Sequence, residues 1–308
     1  MMRIVFFGTP VFAVASLQSL LHDRFTVAGV VTQPDKPQGR SRSELIPPPV
    51  KVAALAAGIP VLQPVRPVGD VFAANLRRLE PDLGVVVAYG HILRTEVLLV
   101  PPRGMINVHA SLLPRHRGAA PIQHAILAGD RETGVSIMQM EEGLDSGPVL
   151  HQVVTPIGPE ETAGQLAGRL AEIGAAALVE AISLRSGGVA RPAPQDHTHA
   201  TYAPKLDREQ AHIIWQRDSA ALVRQIRAFD PAPGAWTELE GNTLKLFGAQ
   251  VAQGSAEPGT VLETGERLVI AAGSGAVAVS EVQPAGKTRI PVEAWFRGRG
   301  VAAGQRLT

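Results

Sequence analysis

The chain has no cysteine. That excludes disulfides, thiolate zinc sites and cysteine nucleophiles, and it fits a reducing compartment. Net charge is nearly absent as well: Lys and Arg total 29 against 28 Asp and Glu, a balance of +1. No global field pulls such a chain to nucleic acid or to a membrane, so any basic surface must be local. Long apolar runs are also missing. No stretch reaches transmembrane length without a charge or a proline. The opening "MMRIVFFGTP" has too short an apolar core before Pro10 to read as a signal peptide. Internal repeats and low-complexity segments are lacking. A cytoplasmic protein with no membrane partner is the expectation.

What is present is an ordinary globular make-up, with 45% hydrophobic and 19% charged residues. The length of 308 residues suggests about two domains. "RIVFFG" reads as a buried strand ending at a glycine, and "TPVFAVASLQSLL" as the helix that follows it, with Pro10 near its start. "FTVAGVVTQ", "IPVLQP", "PDLGVVVAYG", "GMINVHA", "TGVSIMQM" and "GPVLHQVVTPI" read as further strands, interleaved with helical patterns as far as Arg185. Residues Pro34 to Val50, rich in proline and charge, read as no regular element. This alternation predicts a Rossmann-like α/β domain over residues 1–188, a mostly parallel sheet with helices on both faces. Residues 189–208 are aperiodic and rich in proline, glycine and histidine, and read as a linker. Residues 209–308 hold one helix and then short β-like runs with glycine turns, the pattern of a small antiparallel barrel.

Ligands of parallel sheets bind beyond the carboxyl ends of the strands. Gly8-Thr9, Tyr89-Gly90 and Asn107 to His109 all fall at such ends. Asn107 and His109, two apart on a strand, share one face. Asp145 lies between glycines in "MEEGLDSGPVL", at the end of another strand. Spacing alone leaves two readings open, polar strand ends capped by backbone or a catalytic constellation. The chemistry that suits the trio is acyl or formyl transfer without a covalent intermediate. An amide and an imidazolium would donate to a developing oxyanion, and a carboxylate would support the imidazolium and accept a proton from an attacking amine. Ser111 has no G-x-S-x-G context and reads as no nucleophile. His91, His116, His124, His151, His197, His199 and His212 read as surface or linker residues. "HTHA" has the spacing of a metal pair but no third ligand nearby, so no metal is expected. "FGTPVFA" lacks the further glycines of a dinucleotide fingerprint and reads as a tight turn. Lys36, Arg40, Arg42 and Lys51 form a local basic cluster suited to a phosphate backbone, and Lys287, Arg289, Arg297, Arg299 and Arg306 crowd the last stretch.

"NVHASLLPRHRGAAPIQHAILAGDRETGVSIMQMEEGLDSGPVL" resembles the methionyl-tRNA formyltransferase family of folate-dependent formyltransferases. "VTQPDKPQGR", "PPPVKVAA", "VVVAYGHIL", "TYAPKL", "IRAFDPAPGAW" and "VQPAGK" extend the resemblance along the whole chain. The resemblance implies a folate-binding Rossmann-like domain and an OB-like domain that helps to hold tRNA, in a monomer. It implies Asn107, His109 and Asp145 as the catalytic set. It places Ser111, Leu112, Leu113 and Pro114 along a 10-formyltetrahydrofolate site, with Ala88, Tyr89, Gly90 and Ile92 at the pteridine. It makes Arg40, with Arg42, Lys205 and Lys287, contacts to the acceptor stem of initiator methionyl-tRNA. The chain departs from the family pattern at Glu44, at His116 in place of tryptophan, and at Asp230 and Ala232 in place of Asn and Trp. Alternative expectations are a formyltransferase for an amino-sugar nucleotide, a formate-releasing hydrolase, a glycinamide ribonucleotide transformylase and a non-catalytic RNA-binding module. The basic loop counts against the first, the barrel against the third and the intact trio against the last, while the hydrolase stays open.

Overall fold

The computed structural model describes residues 2–38, 44–189, 191–298 and 300–308. The chain divides into two compact units. The first comprises Met1–Pro121, Glu132–Pro156 and Ala167–Pro204, and the second Ile122–Arg131, Ile157–Leu166 and Lys205–Thr308. No helix among the described residues is long and apolar enough to cross a membrane.

Up to Ser186 the elements run β1 (Arg3–Gly8), α1 (Phe12–His22), β2 (Thr26–Val31), β3 (Lys36–Gln38), β4 (Glu44–Ile46), α2 (Pro49–Ala56), β5 (Val61–Leu62), α3 (Asp70–Arg77), β6 (Leu83–Val87), α4 (Thr95–Leu98), β7 (Met105–His109), α5 (Pro121–Ala128), β8 (Glu132–Gln139), β9 (Val149–Pro156) and α6 (Ala163–Ser186). Seven strands form one sheet in the order β5-β2-β1-β6-β7-β8-β9. The first five are mutually parallel, and β8 and β9 run antiparallel at one side. Parallel strands covered on both faces must be apolar throughout, and β6, "LGVVV", is buried along its whole length. The chain goes from β1 to one side, through β2, and returns to the other, at β6. That reversal opens a crevice at the carboxyl ends of β1 and β6. Gly8 closes β1 because nothing larger fits: a Cβ there would lie 2.7 Å from the Phe6 ring and 2.9 Å from the Ala13 Cβ. The entry to α6 is a capping box in which Gln165 Oε1 accepts from the Thr162 N–H at 3.0 Å and the Gln165 N–H donates to Thr162 Oγ1 at 3.3 Å.

The sequence pattern predicts no regular element between Pro34 and Val50, and the structure differs. The Pro34–Val50 stretch contains regular structure, since β3 and β4 pair antiparallel, with Lys36 opposite Ile46 and Gln38 opposite Glu44, and α2 begins at Pro49. Three-residue strands are too short to show a period of two, and prolines at both ends mask them. Residues 39–43, between the two strands, lie outside the described residues, and Arg40 and Arg42 with them.

Beyond α6 come α7 (Ser219–Ala228), β10 (Ala235–Leu239), β11 (Asn242–Phe247), β12 (Gln250–Ala252), β13 (Val261–Glu263), β14 (Leu268–Ala271), β15 (Ala276–Val279), β16 (Glu281–Pro284), β17 (Ile290–Pro291) and α8 (Val292–Phe296). The strands form two antiparallel sheets, β10-β11-β16-β17 and β12-β15-β14-β13. They share one bent ribbon, because β11 and β12 pair with β16 and β15 in one continuous sense. The bend falls at Gly248, whose φ is +61 and whose Cβ position is filled by the Ser280 hydroxyl. Turning a strand pair from one sheet into the next is how orthogonal corners form. Residues 304–308 supply the missing stave. Gly304 and Gln305 bond Val261, Leu307 N donates to Gly259 O at 2.9 Å, and Thr308 exchanges both backbone bonds with Glu238. The antiparallel region thus closes into a barrel, with α7 packed on β11, β12 and β15. Asp218 caps α7 by accepting from the Ala221 N–H at 2.8 Å.

Candidate active site

β7 ends beside β6 at the crevice, and its alternation turns Asn107 and His109 to the same side. Asn107 is half-buried and His109 buried. His109 Nε2 lies 2.9 Å from the His116 carbonyl oxygen. A carbonyl only accepts, so Nε2 carries the proton and the neutral ring exposes its lone pair at Nδ1. Nδ1 faces Asp145 Oδ2 at 3.7 Å. That separation is too long for a direct hydrogen bond, yet close enough for a second proton on the ring to create an ion pair. Asp145 Oδ2 accepts from the Gly118 N–H at 2.8 Å. Gly118, at φ +124, cannot be larger, because a Cβ would sit 2.6 Å from the Ala203 carbonyl oxygen.

Ala88, His116 and Asp145 all hold positive φ, at 46, 56 and 48. Such backbone is costly for residues other than glycine, and here it gathers at the ends of β6 and β7 and in the loop that carries Asp145. His116, expected at the surface, is buried instead. Its left-handed backbone puts its carbonyl against His109, a role no side-chain pattern announces.

The structure sets His109 against Asp145, with Asn107 on the same face of β7 as His109. It treats the folate-candidate residues unequally. The Ser111 hydroxyl is buried and donates to the Arg115 carbonyl at 2.6 Å. Ser136 Oγ, on β8, donates to Ser111 O at 2.6 Å and accepts from the Leu113 N–H at 3.0 Å. Gln152, on β9, donates from Nε2 to Leu113 O and to Ser136 Oγ, both at 2.9 Å. The backbone of Ser111 to Leu113 is therefore fixed, and Leu112 and Pro114 are left half-buried. Tyr89 points its ring into the core against Phe7 and Val97, while Ala88, Gly90 and Ile92 are exposed at the strand end. The Tyr89 carbonyl accepts from Thr9 Oγ1 and Gln33 Nε2, each at 3.0 Å. Gln33 leads into the hairpin, whose base is knotted: Lys51 Nζ bonds both Asp35 oxygens at 2.9 and 2.7 Å, and Gln63 Nε2 donates to Asp35 at 2.7 Å. The bonds from Gln63 and Lys51 hold the Asp35 carboxyl below its ordinary pKa.

Lys205 and Lys287 are both exposed, the latter in the turn between β16 and β17. Two other basic residues of the last stretch are committed: Arg306 pairs with Glu257. Arg289 grips Asp230 at 2.8 Å and stacks over Phe247 at 4.1 Å from the ring centre. Burial alone would lower the Arg289 pKa, but hydrogen bonds to Asp230 and Glu281 raise it above its ordinary value. Among the described residues no three His, Asp or Glu side chains are placed to hold a metal. In "HTH", His199 bonds its own cap Asp196 at 2.9 Å and His197 Nδ1 lies 3.1 Å from Arg117 Nη2.

Two family profiles cover almost all of this frame. One, described as formyl transferase, matches residues 2–182, and the other, the formyl transferase C-terminal domain, matches residues 205–300. A methionyl-tRNA formyltransferase from Symbiobacterium thermophilum is 49% identical over 100% of this chain and 96% of its own. Another, from Roseiflexus castenholzii, is 46% identical over 99% of both chains. The chain belongs to the methionyl-tRNA formyltransferase family. The fold is shared more widely than that. The N-formyltransferase from Helicobacter canadensis, solved with folinic acid and dTDP-3-aminofucose, superposes with a TM-score of 0.70 at 19% identity, over 92% of this chain and 100% of that one. Fold therefore says formyltransferase architecture, and sequence kinship separates the methionyl-tRNA branch from it.

Proposed function

We propose that this protein transfers the formyl group of 10-formyltetrahydrofolate to the free amino group of methionyl initiator tRNA, as a monomer in the cytoplasm. The observation that carries the reading is the His109–Asp145 pair at 3.7 Å, on the strand face that Asn107 shares, in a chain nearly half identical to named methionyl-tRNA formyltransferases. The amine nitrogen attacks the formyl carbon, and the carbonyl π pair moves onto oxygen. The Asn107 amide and the protonated His109 ring donate to that oxygen. Because Nε2–H is engaged by His116 O, Nδ1–H is the donor, on the side facing Asp145. Asp145 Oδ2 is engaged by Gly118, so Oδ1 takes the proton lost by the attacking nitrogen and passes it towards the departing folate nitrogen. Collapse breaks the bond between that nitrogen and the formyl carbon.

Leu112, Pro114 and the Ala88 to Ile92 strand end would flank the folate, with Ser111 and Leu113 fixing the wall from behind. Arg40, Arg42, Lys205 and Lys287 would meet tRNA phosphates. The same reading assigns formyl transfer to residues 1–188 and tRNA contact to residues 209–308, with residues 189–208 joining them along the sequence. The test offers 10-formyltetrahydrofolate with methionyl initiator tRNA, uncharged tRNA or an amino-sugar nucleotide. Formylation of the charged tRNA alone is expected. Formylation of the sugar amine in its place would move the chain's chemistry to the other branch of the fold.

A further inference from the structure

Behind Asp145 lies a buried polar relay that the reaction chemistry does not itself require. Gln195 and Arg117 are 8% and 3% exposed. Gln195 Nε2 donates to the Asp145 carbonyl at 2.9 Å and to the Gly147 carbonyl at 2.7 Å. Gln195 Oε1 accepts from Arg117 Nε at 3.1 Å and Nη2 at 2.6 Å. Both amide hydrogens and both oxygen lone pairs are thus used, and the amide has only one sensible orientation: reversed, its oxygen would face two carbonyls and its NH2 a guanidinium. Residue 195 falls between the two family profiles, which end at 182 and begin at 205.

The relay brackets the Asp145-Ser146-Gly147 turn at both ends. It holds in place an aspartate whose backbone sits at φ 48, a conformation unfavourable for any residue with a Cβ. Arg117 is followed by Gly118, whose N–H grips the Asp145 carboxylate at 2.8 Å. The dipeptide therefore holds this turn twice, once directly through the carboxylate and once through Gln195 on the main chain. We infer that Gln195, oriented by Arg117, is a positioning residue that sets the Asp145 carboxylate against His109. The inference rests on the proposed role of Asp145 in formyl transfer.

The test is a double-mutant cycle between Gln195→Ala and Asp145→Asn, with kcat and both KM values measured on 10-formyltetrahydrofolate and methionyl-tRNA. A misplaced catalytic group costs about 10- to 100-fold in rate, so Gln195→Ala should lose kcat by that factor with each KM changed less than about threefold. On the Asp145→Asn background the same change should cost almost nothing further, since Gln195 acts through the carboxylate. Gln195→Glu runs in parallel, because it keeps the Arg117 contact but replaces both donors with a carboxylate oxygen that repels the Asp145 and Gly147 carbonyls; it should lose kcat at least as much, and it carries the cycle if Gln195→Ala does not fold. An equal fold-loss on both backgrounds, or kcat unchanged in Gln195→Glu, overturns the inference. Absence of methionyl-tRNA formylation by the unaltered protein would instead overturn the functional reading beneath it.

Discussion

Tyr89 carries a hydroxyl that finds no partner among the described residues, and burial pushes its pKa up to about 12. Removing an unsatisfied buried hydroxyl without changing shape is neutral or stabilising. Tyr89→Phe should therefore leave stability unchanged or raise it by about 1 kcal/mol in denaturant melts; a comparable loss would reveal a partner. Asp145→Asn makes the opposite kind of change, keeping shape and removing charge. It should lower kcat by about two decades or more, as acid–base groups do, with folate binding less affected; near-normal turnover in a steady-state assay would remove Asp145 from the chemistry. At this scale the sequence was legible where local pattern carries information. Asn107 and His109 stand out because a strand repeats every two residues. Asp145 stands out because glycines flank it. Gln195 stands out from nothing: its partners are 50 and 78 residues away, and no local periodicity records a tertiary hydrogen bond. His116 was hidden differently, since its contribution is a backbone carbonyl.

Elements of regular length and burial were likewise readable, and the short ones were not. β1 and β6 announced themselves as apolar runs ended by glycine or its neighbours, whereas the β3–β4 hairpin has three residues a side and two exposed apolar side chains, Leu45 and Ile46, in place of a buried face. Its base is tied down by the bonds among Asp35, Lys51 and Gln63. Arg40 and Arg42, which fall in the sequence between the two strands, carry guanidinium groups of the kind that suit a phosphate backbone. Arg40→Ala should weaken use of methionyl-tRNA and make its salt dependence shallower by about one unit in log–log slope, with folate affinity unchanged. An unaltered salt response would make the hairpin an ornament of the surface. In the barrel, Arg289 is the partner of the buried Asp230. Arg289→Ala should destabilise by about 3 kcal/mol, the low end for an orphaned buried charge because Arg289 is itself 33% exposed. Adding Asp230→Asn should recover most of the loss in the same melts, since no charge is then stranded.

The whole chain does not fold as two beads on a string. The second compact unit takes residues 122–131 and 157–166 from within the sequence of the first. Arg227 on α7 bonds the carbonyls of Gly158 at 2.8 Å and Glu161 at 3.0 Å, and Gly164 N donates to Asp230 O at 3.0 Å. A fragment of residues 205–308 should accordingly unfold at lower denaturant than the same unit in the full chain, and a version with residues 157–166 attached should regain part of the difference. Equal midpoints would show that the borrowed segments contribute nothing. The pattern of strands and helices could not reveal this borrowing, because α5 and the start of α6 read the same whichever unit they serve. The interleaving also imposes an order on birth. A ribosome delivers residues 122–131 and 157–166 well before residues 205–308, with Ile122, Ile126 and Leu166 destined for burial. Until the later staves emerge, those side chains remain bare on a nascent chain. The interval between the two is the window in which this protein is most exposed to aggregation and to chaperones.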